Sequence, residues 1–294
     1  MKCMEAAGRF NQRAGGEYKL DIYPGEQLCK YAESIDSVRS GVVEMANMGW
    51  GGYAGTLPVL AVAEIPFLYE SVQANAASQD GILEIYGEAF QKNLNQKALG
   101  NFNVTAMELI STKPIKTMDD FKGMVIQSDT PQGTALITAL GASGTMIPFP
   151  EVYAALEKGV VDAAMLAAPF ILISKQYEVA PNYTPCYALG TTHGVTINLD
   201  VWNKMPKNIQ DILAEEIQQA CHSLNEGFIH TYEEDMKTMA DLGVEVYYLP
   251  KTERDKWKEV IRPYCEERMT ELGEAAQKMK QIADAANSKY PYPY

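Results

Sequence analysis

An α/β fold is what this sequence predicts. Three features predict it: short apolar runs of strand length, amphipathic stretches of helical period between them, and glycine-marked joins. Near the start, Tyr18, Leu20 and Ile22 alternate with Lys19 and Asp21, a strand with one buried face that Pro24 and Gly25 end. Residues 31–40 read as a helix stopped at Gly41, and Val42-Val43-Glu44-Met45-Ala46 as a buried strand of a parallel sheet. A strand over 123–126 follows a turn around Met118-Asp119-Asp120, whose carboxylates suit a helix entrance. A helix over 132–140 comes next. Asn203, ahead of Lys204, Met205 and Pro206, reads as a helix start, and Ile209, Leu213, Ile217, Ala220, Leu224 and Phe228 line one face beyond it. Val244, Val246 and Tyr248 form a late strand ended by Pro250, and Trp257, Val260, Ile261, Tyr264 and Leu272 stripe a final long helix. Strands alternating with helices throughout predict mostly parallel sheets.

One piece of this grammar occurs twice. Ser37-Val38-Arg39-Ser40-Gly41-Val42-Val43-Glu44-Met45-Ala46 resembles Ala155-Leu156-Glu157-Lys158-Gly159-Val160-Val161-Asp162-Ala163-Ala164. Each is a helix ending at a glycine able to take positive φ, followed by Val-Val-acid. Two similar α/β lobes would produce this pattern, and so would chance, since helix-Gly-Val-Val is common in α/β proteins.

At 294 residues the chain has room for two domains. With 47% hydrophobic and 21% charged residues it is globular in composition rather than disordered. The formal charge of −13, from 25 basic and 38 acidic residues, argues against a nucleic-acid partner but not against a small anion. No apolar run approaches the ~18 residues of a membrane span, so no membrane insertion of its own is expected. Cys3, Cys29, Cys186, Cys221 and Cys265 are scattered without a CxxC pair, which is neither a zinc pattern nor a dense disulfide framework. Free thiols are expected, with one or two disulfides left open. His222 and His230 lie eight apart, not the four of a metal pair, and no GxSxG, GxGxxG or GxxxxGK[ST] occurs. No cofactor, metal or catalytic constellation is therefore expected. Read literally, a start at Met1-Lys2-Cys3-Met4-Glu5 without a signal peptide means cytoplasm.

The distinctive residues are aromatics in glycine-rich or proline-rich turns. Gly49-Trp50-Gly51-Gly52-Tyr53-Ala54-Gly55 follows a predicted strand, at the kind of edge where α/β proteins bind ligands. Small residues admit a ligand to the backbone, and Trp50 or Tyr53 offers a flat face for stacking. A packed loop with its aromatics in the core is the other reading. Ile65-Pro66-Phe67-Leu68-Tyr69 and Pro148-Phe149-Pro150 have the same character, with packing favoured.

A family resemblance enters through longer blocks. Glu151-Val152-Tyr153-Ala154-Ala155-Leu156-Glu157-Lys158-Gly159-Val160-Val161-Asp162 resembles the EVYxALxxGVVDG signature of solute-binding proteins of tripartite ATP-independent periplasmic (TRAP) transporters, in the C4-dicarboxylate-binding (DctP) branch. Tyr23-Pro24-Gly25-Glu26-Gln27-Leu28, Val38-Arg39-Ser40-Gly41, Ile65-Pro66-Phe67-Leu68, Lys113-Pro114-Ile115, Asp120-Phe121-Lys122-Gly123, Tyr177-Glu178-Val179 and Val201-Trp202-Asn203-Lys204-Met205-Pro206 agree in order and spacing. The resemblance covers essentially the whole chain. It implies a two-lobed periplasmic-binding-protein-like fold with an inter-lobe cleft closed by a hinge. Lobe I is expected over residues 1-104 and 192-232, and lobe II over 105-191 and 233-294. It also implies a monomer in the periplasm or otherwise outside the cytoplasm, delivering a small-molecule ligand to TRAP permease membrane subunits. An export signal and a first β-strand would precede the helix that begins near Met1, against the literal reading of the start.

The departures from the family pattern concern the ligand. An arginine that usually ends the strand at Gly123-Met124-Val125-Ile126 and forks onto the ligand carboxylate is replaced by Gln127. A second arginine found in some members aligns with Met107, and the family's asparagine before proline with Ala168. Losing a guanidinium removes a charge-assisted bond of ~1.5–3 kcal/mol. Gln127 retains amide donors and an acceptor, while Trp50, Met107, Phe149, Ala168 and Phe170 offer an apolar wall. An amphipathic or aromatic monocarboxylate, or a neutral polar molecule, is expected rather than a dicarboxylate, unless Arg39 or Lys175 replaces the missing cation. A ligand sensor, or an enzyme on the same fold using Glu108, Asp129 and His193, is the alternative.

Overall fold

Residues 37–43 and 155–161 make the same turn. Gly41 takes φ +75° and donates to the Val38 carbonyl at 3.1 Å; Gly159 takes φ +67° and donates to Leu156 at 3.1 Å. Val42 and Val43 both donate to Ser37, at 2.9 and 3.3 Å, as Val160 and Val161 donate to Ala155, at 2.8 and 3.3 Å. Only a residue without a Cβ takes this backbone shape cheaply, which is why glycine stands at both positions. In each copy a strand starts four residues after the glycine. The sequence repeat is a structural repeat.

The computed structural model describes residues 2–294. In chain order the elements are α1 (Lys2–Arg13), α2 (Ser34–Ser40), β1 (Met45–Gly49), α3 (Val72–Ala77), α4 (Gln79–Leu94), β2 (Gln96–Phe102), β3 (Ala106–Ser111), β4 (Val125–Ser128), α5 (Pro131–Ala139) and β5 (Ser143–Met146). They continue with α6 (Val152–Glu157), β6 (Ala163–Leu166), α7 (Ala168–Ser174), β7 (Asn182–Gly190), β8 (His193–Asn198), α8 (Leu199–Lys204), α9 (Lys207–Asp241), β9 (Glu245–Val246) and α10 (Lys251–Lys289). The chain forms two compact units. Unit 1 is Met1–Leu60, Gln79–Asn103 and Thr192–Gly227; unit 2 is Ala61–Ser78, Val104–Thr191 and Phe228–Tyr294. Each unit carries one copy of the repeat.

Unit 1 holds a three-stranded sheet in the order β1-β8-β2, with both pairings antiparallel. The segment expected as a parallel strand over 42–46 therefore begins at Met45 and runs against a partner some 150 residues downstream. An apolar run announces burial but not the direction of its neighbour. The strand expected around Leu20 does not form: the Asn11 side chain holds Leu20 instead, accepting from its N–H at 2.6 Å and donating to its carbonyl at 3.0 Å. β1 is an edge strand, and a cavity of about 490 Å³ is lined by Leu20–Cys29 and by Met45, Ala46 and Asn47. Arg9 and Arg13 fix α1 to Glu216 of α9 at 2.6 and 2.7 Å. The helix start expected at Asn203 lies elsewhere. Asn198 caps α8 by accepting from Val201 N–H at 3.0 Å, and the carbonyl of Pro206 receives Ile209 and Gln210 as α9 begins.

Unit 2 is built on a six-stranded sheet in the order β5-β4-β6-β3-β7-β9. The β4–β5, β4–β6 and β7–β9 pairs are parallel, while β3 runs antiparallel to β6 and β7. The expectation of mostly parallel sheets thus holds for three of the five pairings here and for neither pairing in unit 1. Side-chain alternation divides its two cores: Leu109, Ile126, Ala163 and Met165 pack with Phe121 and Trp257, whereas Ile110, Ala164 and Leu166 pack with Val152, Tyr183 and Tyr232. Residues 61–78, expected in the first lobe, cluster with unit 2. Phe67 N–H donates to Ala188 at 2.8 Å, Ser71 to the Tyr290 carbonyl at 2.9 Å, and the Asn287 amide bonds Leu68 O and Glu70 N at 2.9 and 2.8 Å. These contacts join distant segments, so no local composition marks that boundary.

Candidate functional site

Because β5, β4 and β6 are parallel, their carboxyl ends share one edge of the unit 2 sheet. The antiparallel neighbours add to the same edge, since Glu108 of β3 faces Leu166 and Ala106 faces Gly190 at the end of β7. That edge is where α/β sheets bind ligands. Six sequence-predicted residues gather along it. Phe149 lies just beyond β5, Gln127 near the end of β4, Ala168 and Phe170 just beyond β6, Met107 at the start of β3, and Phe67 is tied to β7 through Ala188. Phe149 and Phe170 touch, ring centroids 5.4 Å apart. Phe67 stands in the left-handed backbone region at φ +57°, rare for a bulky residue and stabilised here by surrounding contacts.

One polar group at this edge holds a buried acceptor without a donor. Gln127 is fully buried, with Nε2 donating to the Ile147 carbonyl at 2.8 Å and Oε1 facing no donor. Glu64 is 7% exposed and has no hydrogen-bond or ion-pair partner among the described residues. Its carboxyl is raised to about 8, first by burial and then by the charge of Asp129. Asp129 reaches solvent, yet the protein crowded around its carboxyl raises it as well. Ser128 and Leu189 both lie where a side chain on Gly133 would go, which brings the start of α5 against the end of β7. Glu64 was not singled out from the sequence. The available signal was an acid inside the apolar run Leu60-Ala61-Val62-Ala63-Glu64-Ile65.

Neither base considered as a substitute for the family arginine is buried. Arg39 pairs with Asp36 at 2.9 Å and Lys175 with Glu178 at 3.7 Å, both on the surface. Among the described residues the buried basic side chain is Arg254, and it is fully engaged. It binds Glu70 at 2.5 Å, the Cys186 and Tyr69 carbonyls at 2.8 and 2.9 Å, and lies between the rings of Tyr292 and Phe67 at 4.4 and 5.0 Å.

In unit 1 the ligand-stacking role expected of Trp50 is corrected. Its ring is wholly buried against Tyr86 and Phe90, centroids 5.6 and 5.1 Å away, and lies where a side chain on Gly194 would stand. The apolar surface of an indole is better placed in that core than on an open loop. Tyr53 is also buried, its hydroxyl donating to the Tyr31 carbonyl. At the adjoining strand ends His193 faces Gly49 across the β1–β8 register and lies 5.9 Å from the Phe102 ring. Burial lowers this imidazole to about 4, so it is neutral at physiological pH.

Glu108, a candidate for catalysis, is sealed inside unit 2. It accepts from Tyr183 at 2.5 Å, Tyr232 at 3.0 Å, and the N–H groups of Cys186 and Tyr187 at 3.1 Å. Burial pushes it to about 7 against those bonds. A carboxyl so enclosed ties β3, β7 and α9 together. The cysteines are free, Cys186 and Cys221 being buried, and the described residues contain no group of side chains able to hold a metal. No described helix is long and apolar enough to cross a membrane.

The family described as bacterial extracellular solute-binding protein, family 7 (DctP), matches residues 5–272. The chain belongs to this family. Its members are binding proteins for small solutes rather than enzymes. The chain is 26% identical over 247 residues to the 2,3-diketo-L-gulonate-binding periplasmic protein YiaO of Escherichia coli, covering 82% of this chain and 75% of that one. It is 25% identical over 280 residues to the C4-dicarboxylate-binding periplasmic protein DctP of Rhodobacter capsulatus, covering 92% and 83%. A crystal structure of a TRAP periplasmic solute-binding protein from Chromohalobacter salexigens, with bound D-glucuronate, superposes with a TM-score of 0.88 at 22% identity, covering 97% and 94%. The two-lobed fold implied by the sequence motifs is the fold these relatives share.

Proposed function

We propose that this family 7 protein works outside the cytoplasm as a monomer, capturing a small amphipathic organic acid and delivering it to TRAP-type permease subunits. The carboxyl edge of the unit 2 sheet supplies the ligand contacts: Gln127 as the polar anchor, with Phe67, Met107, Phe149, Ala168 and Phe170 against the body of the solute. The observation that carries this reading is Gln127, buried at the strand end, while Arg39 and Lys175, the bases considered as its substitutes, are paired on the surface. A dicarboxylate would enter with two charges and no counter-cation, a burial that costs several kcal/mol per unpaired charge. A solute with a larger apolar body gains instead from the aromatic pair and Met107. The relatives named for organic acids support the class of solute, and their periplasmic names support the compartment.

The test is a thermal-shift screen of small acids against the purified protein, since a ligand that binds only the folded state raises the melting temperature by mass action. Amphipathic acids are expected to stabilise the protein and succinate or malate to leave it unchanged. Strong stabilisation by the dicarboxylates would refute the reading of Gln127.

A further inference from the structure

Two bulky residues of unit 2 stand in the left-handed backbone region, Phe67 at φ +57° and Tyr187 at φ +46°. A side chain disfavours that region, and such a residue persists only where its surroundings over-determine it. The two are joined, because Phe67 N–H donates to the carbonyl of Ala188, the residue after Tyr187. Phe67 also belongs to the apolar cluster that contains Met107 and Leu189, against which Phe170 packs. Strained backbone is thus set among the residues proposed to meet the solute.

What holds it comes from the last part of the chain. The Asn287 side chain donates to Leu68 O at 2.9 Å and accepts from Glu70 N–H at 2.8 Å. The Ser71 hydroxyl donates to the Tyr290 carbonyl at 2.9 Å, and the Tyr69 hydroxyl to Met279 Sδ at 3.9 Å. Arg254 bonds Tyr69 O at 2.9 Å and lies between the rings of Phe67 and Tyr292. Each residue from Phe67 to Ser71 therefore has a partner between Arg254 and Tyr290. Tyr187 in turn stacks on Tyr294, centroids 6.2 Å apart, and meets Tyr292 edge-on at 5.8 Å. Beyond Gly273, where φ +58° and ψ −131° break α10, the helix buries Ala276, Met279, Ala283 and Ala286. The residues that match the family end at 272, so Asn287 and the tyrosines lie outside that match.

We propose that the chain from Gly273 to Tyr294 is a positioning element of the binding edge, with Asn287 its chief residue, keeping Phe67 where the solute meets it. This rests on the capture function proposed above and adds groups that act through Phe67 rather than on the solute. Asn287 gives the 68–70 backbone the donor and acceptor that a neighbouring strand would give. Without it that backbone is free to return to ordinary φ, carrying the Phe67 ring away from Met107. Affinity then falls in proportion to the fraction of molecules that keep the competent arrangement. A contact serving stability alone would instead loosen unit 2 throughout and leave Kd unchanged.

The experiment compares the native protein with Asn287→Ala and Tyr292→Leu, each checked for folding by circular dichroism. Hydrogen exchange followed by mass spectrometry reads the amides over 65–72 against those of β4 and β6. In both variants the 65–72 amides should exchange about tenfold or more faster, with β4 and β6 unchanged. Calorimetric titration with 3-phenylpropanoate and phenylacetate should show Kd raised about tenfold in Asn287→Ala. Unchanged exchange over 65–72, or exchange raised equally in β4 and β6, overturns the positioning role and leaves capture standing. So does faster local exchange with Kd unaltered. Binding of neither acid by the native protein overturns the capture reading and the inference with it.

Discussion

Arg254→Met removes the buried guanidinium of unit 2 while keeping an apolar stem of similar length. Two well-formed bonds disappear, to Cys186 O at 2.8 Å and Tyr69 O at 2.9 Å, and both carbonyls are left inside the protein. Hydrogen bonds from a charged donor contribute roughly 1.5–3 kcal/mol each. Glu70 also loses its 2.5 Å partner but keeps Lys258 at 2.6 Å, so the carboxylate is not stranded. The expected loss is therefore about 3–5 kcal/mol, the usual range for removing one member of a buried ion pair. Arg254→Lys retains the charge but reaches fewer of the three acceptors, and should lose roughly half as much. Urea unfolding followed by circular dichroism measures this as a lower midpoint with an unchanged slope. The pH dependence adds a second check. Burial raises the Glu70 carboxyl, but Arg254 and Lys258 outweigh it and hold the group below its ordinary 4.5. The stability it contributes is present above that ordinary value and is lost as pH falls through the lower folded value. In Arg254→Met this acid-dependent loss should shrink. A midpoint shift worth less than about 1 kcal/mol, or an unaltered acid limb, would refute the account of Arg254 as a structural cation and reopen it as a ligand group.

Two further outcomes test unit 1. Gly194→Ala places a methyl 2.1 Å from the Trp50 ring, and because that ring is held by Tyr86 and Phe90 the substitution should cost about 1–3 kcal/mol or more in urea unfolding. His193 is held at about 4, below its ordinary 6.5, so the unfolded chain takes up its proton first and stability falls as pH drops from 6.5 toward 4. His193→Gln should flatten that part of the stability profile, and a profile identical to that of the native protein would contradict the half-buried, neutral imidazole.

Much of the fold was legible in residues whose backbone demands are local. Gly41 and Gly159 sit in identical turns because positive φ excludes most other residues, so the repeat could be recognised without knowing what either copy packs against. The stripe Ile209, Leu213, Ile217 and Ala220 is buried as its helical spacing predicts. Strand direction was not legible. Val42–Ala46 looks the same whether its neighbour runs with it or against it, and β8 arrives from another part of the chain. Around Leu20 the alternation was real, but Asn11 satisfied the backbone that a neighbouring strand would have paired.

The candidate site divides in the same way. The replacement of an expected arginine by Gln127, and the aromatic blocks around Phe67 and Phe149, could be read directly because each depends on residue type at a motif position. Tertiary structure alone decided that Trp50 faces a core and not a ligand, that Arg254 is engaged, and that Gln127 Oε1 is buried without a donor. Periodicity and motif reflect what one segment demands of its own backbone. Burial, pairing and charge balance belong to side chains that meet from segments far apart in sequence, and only the folded chain brings them together.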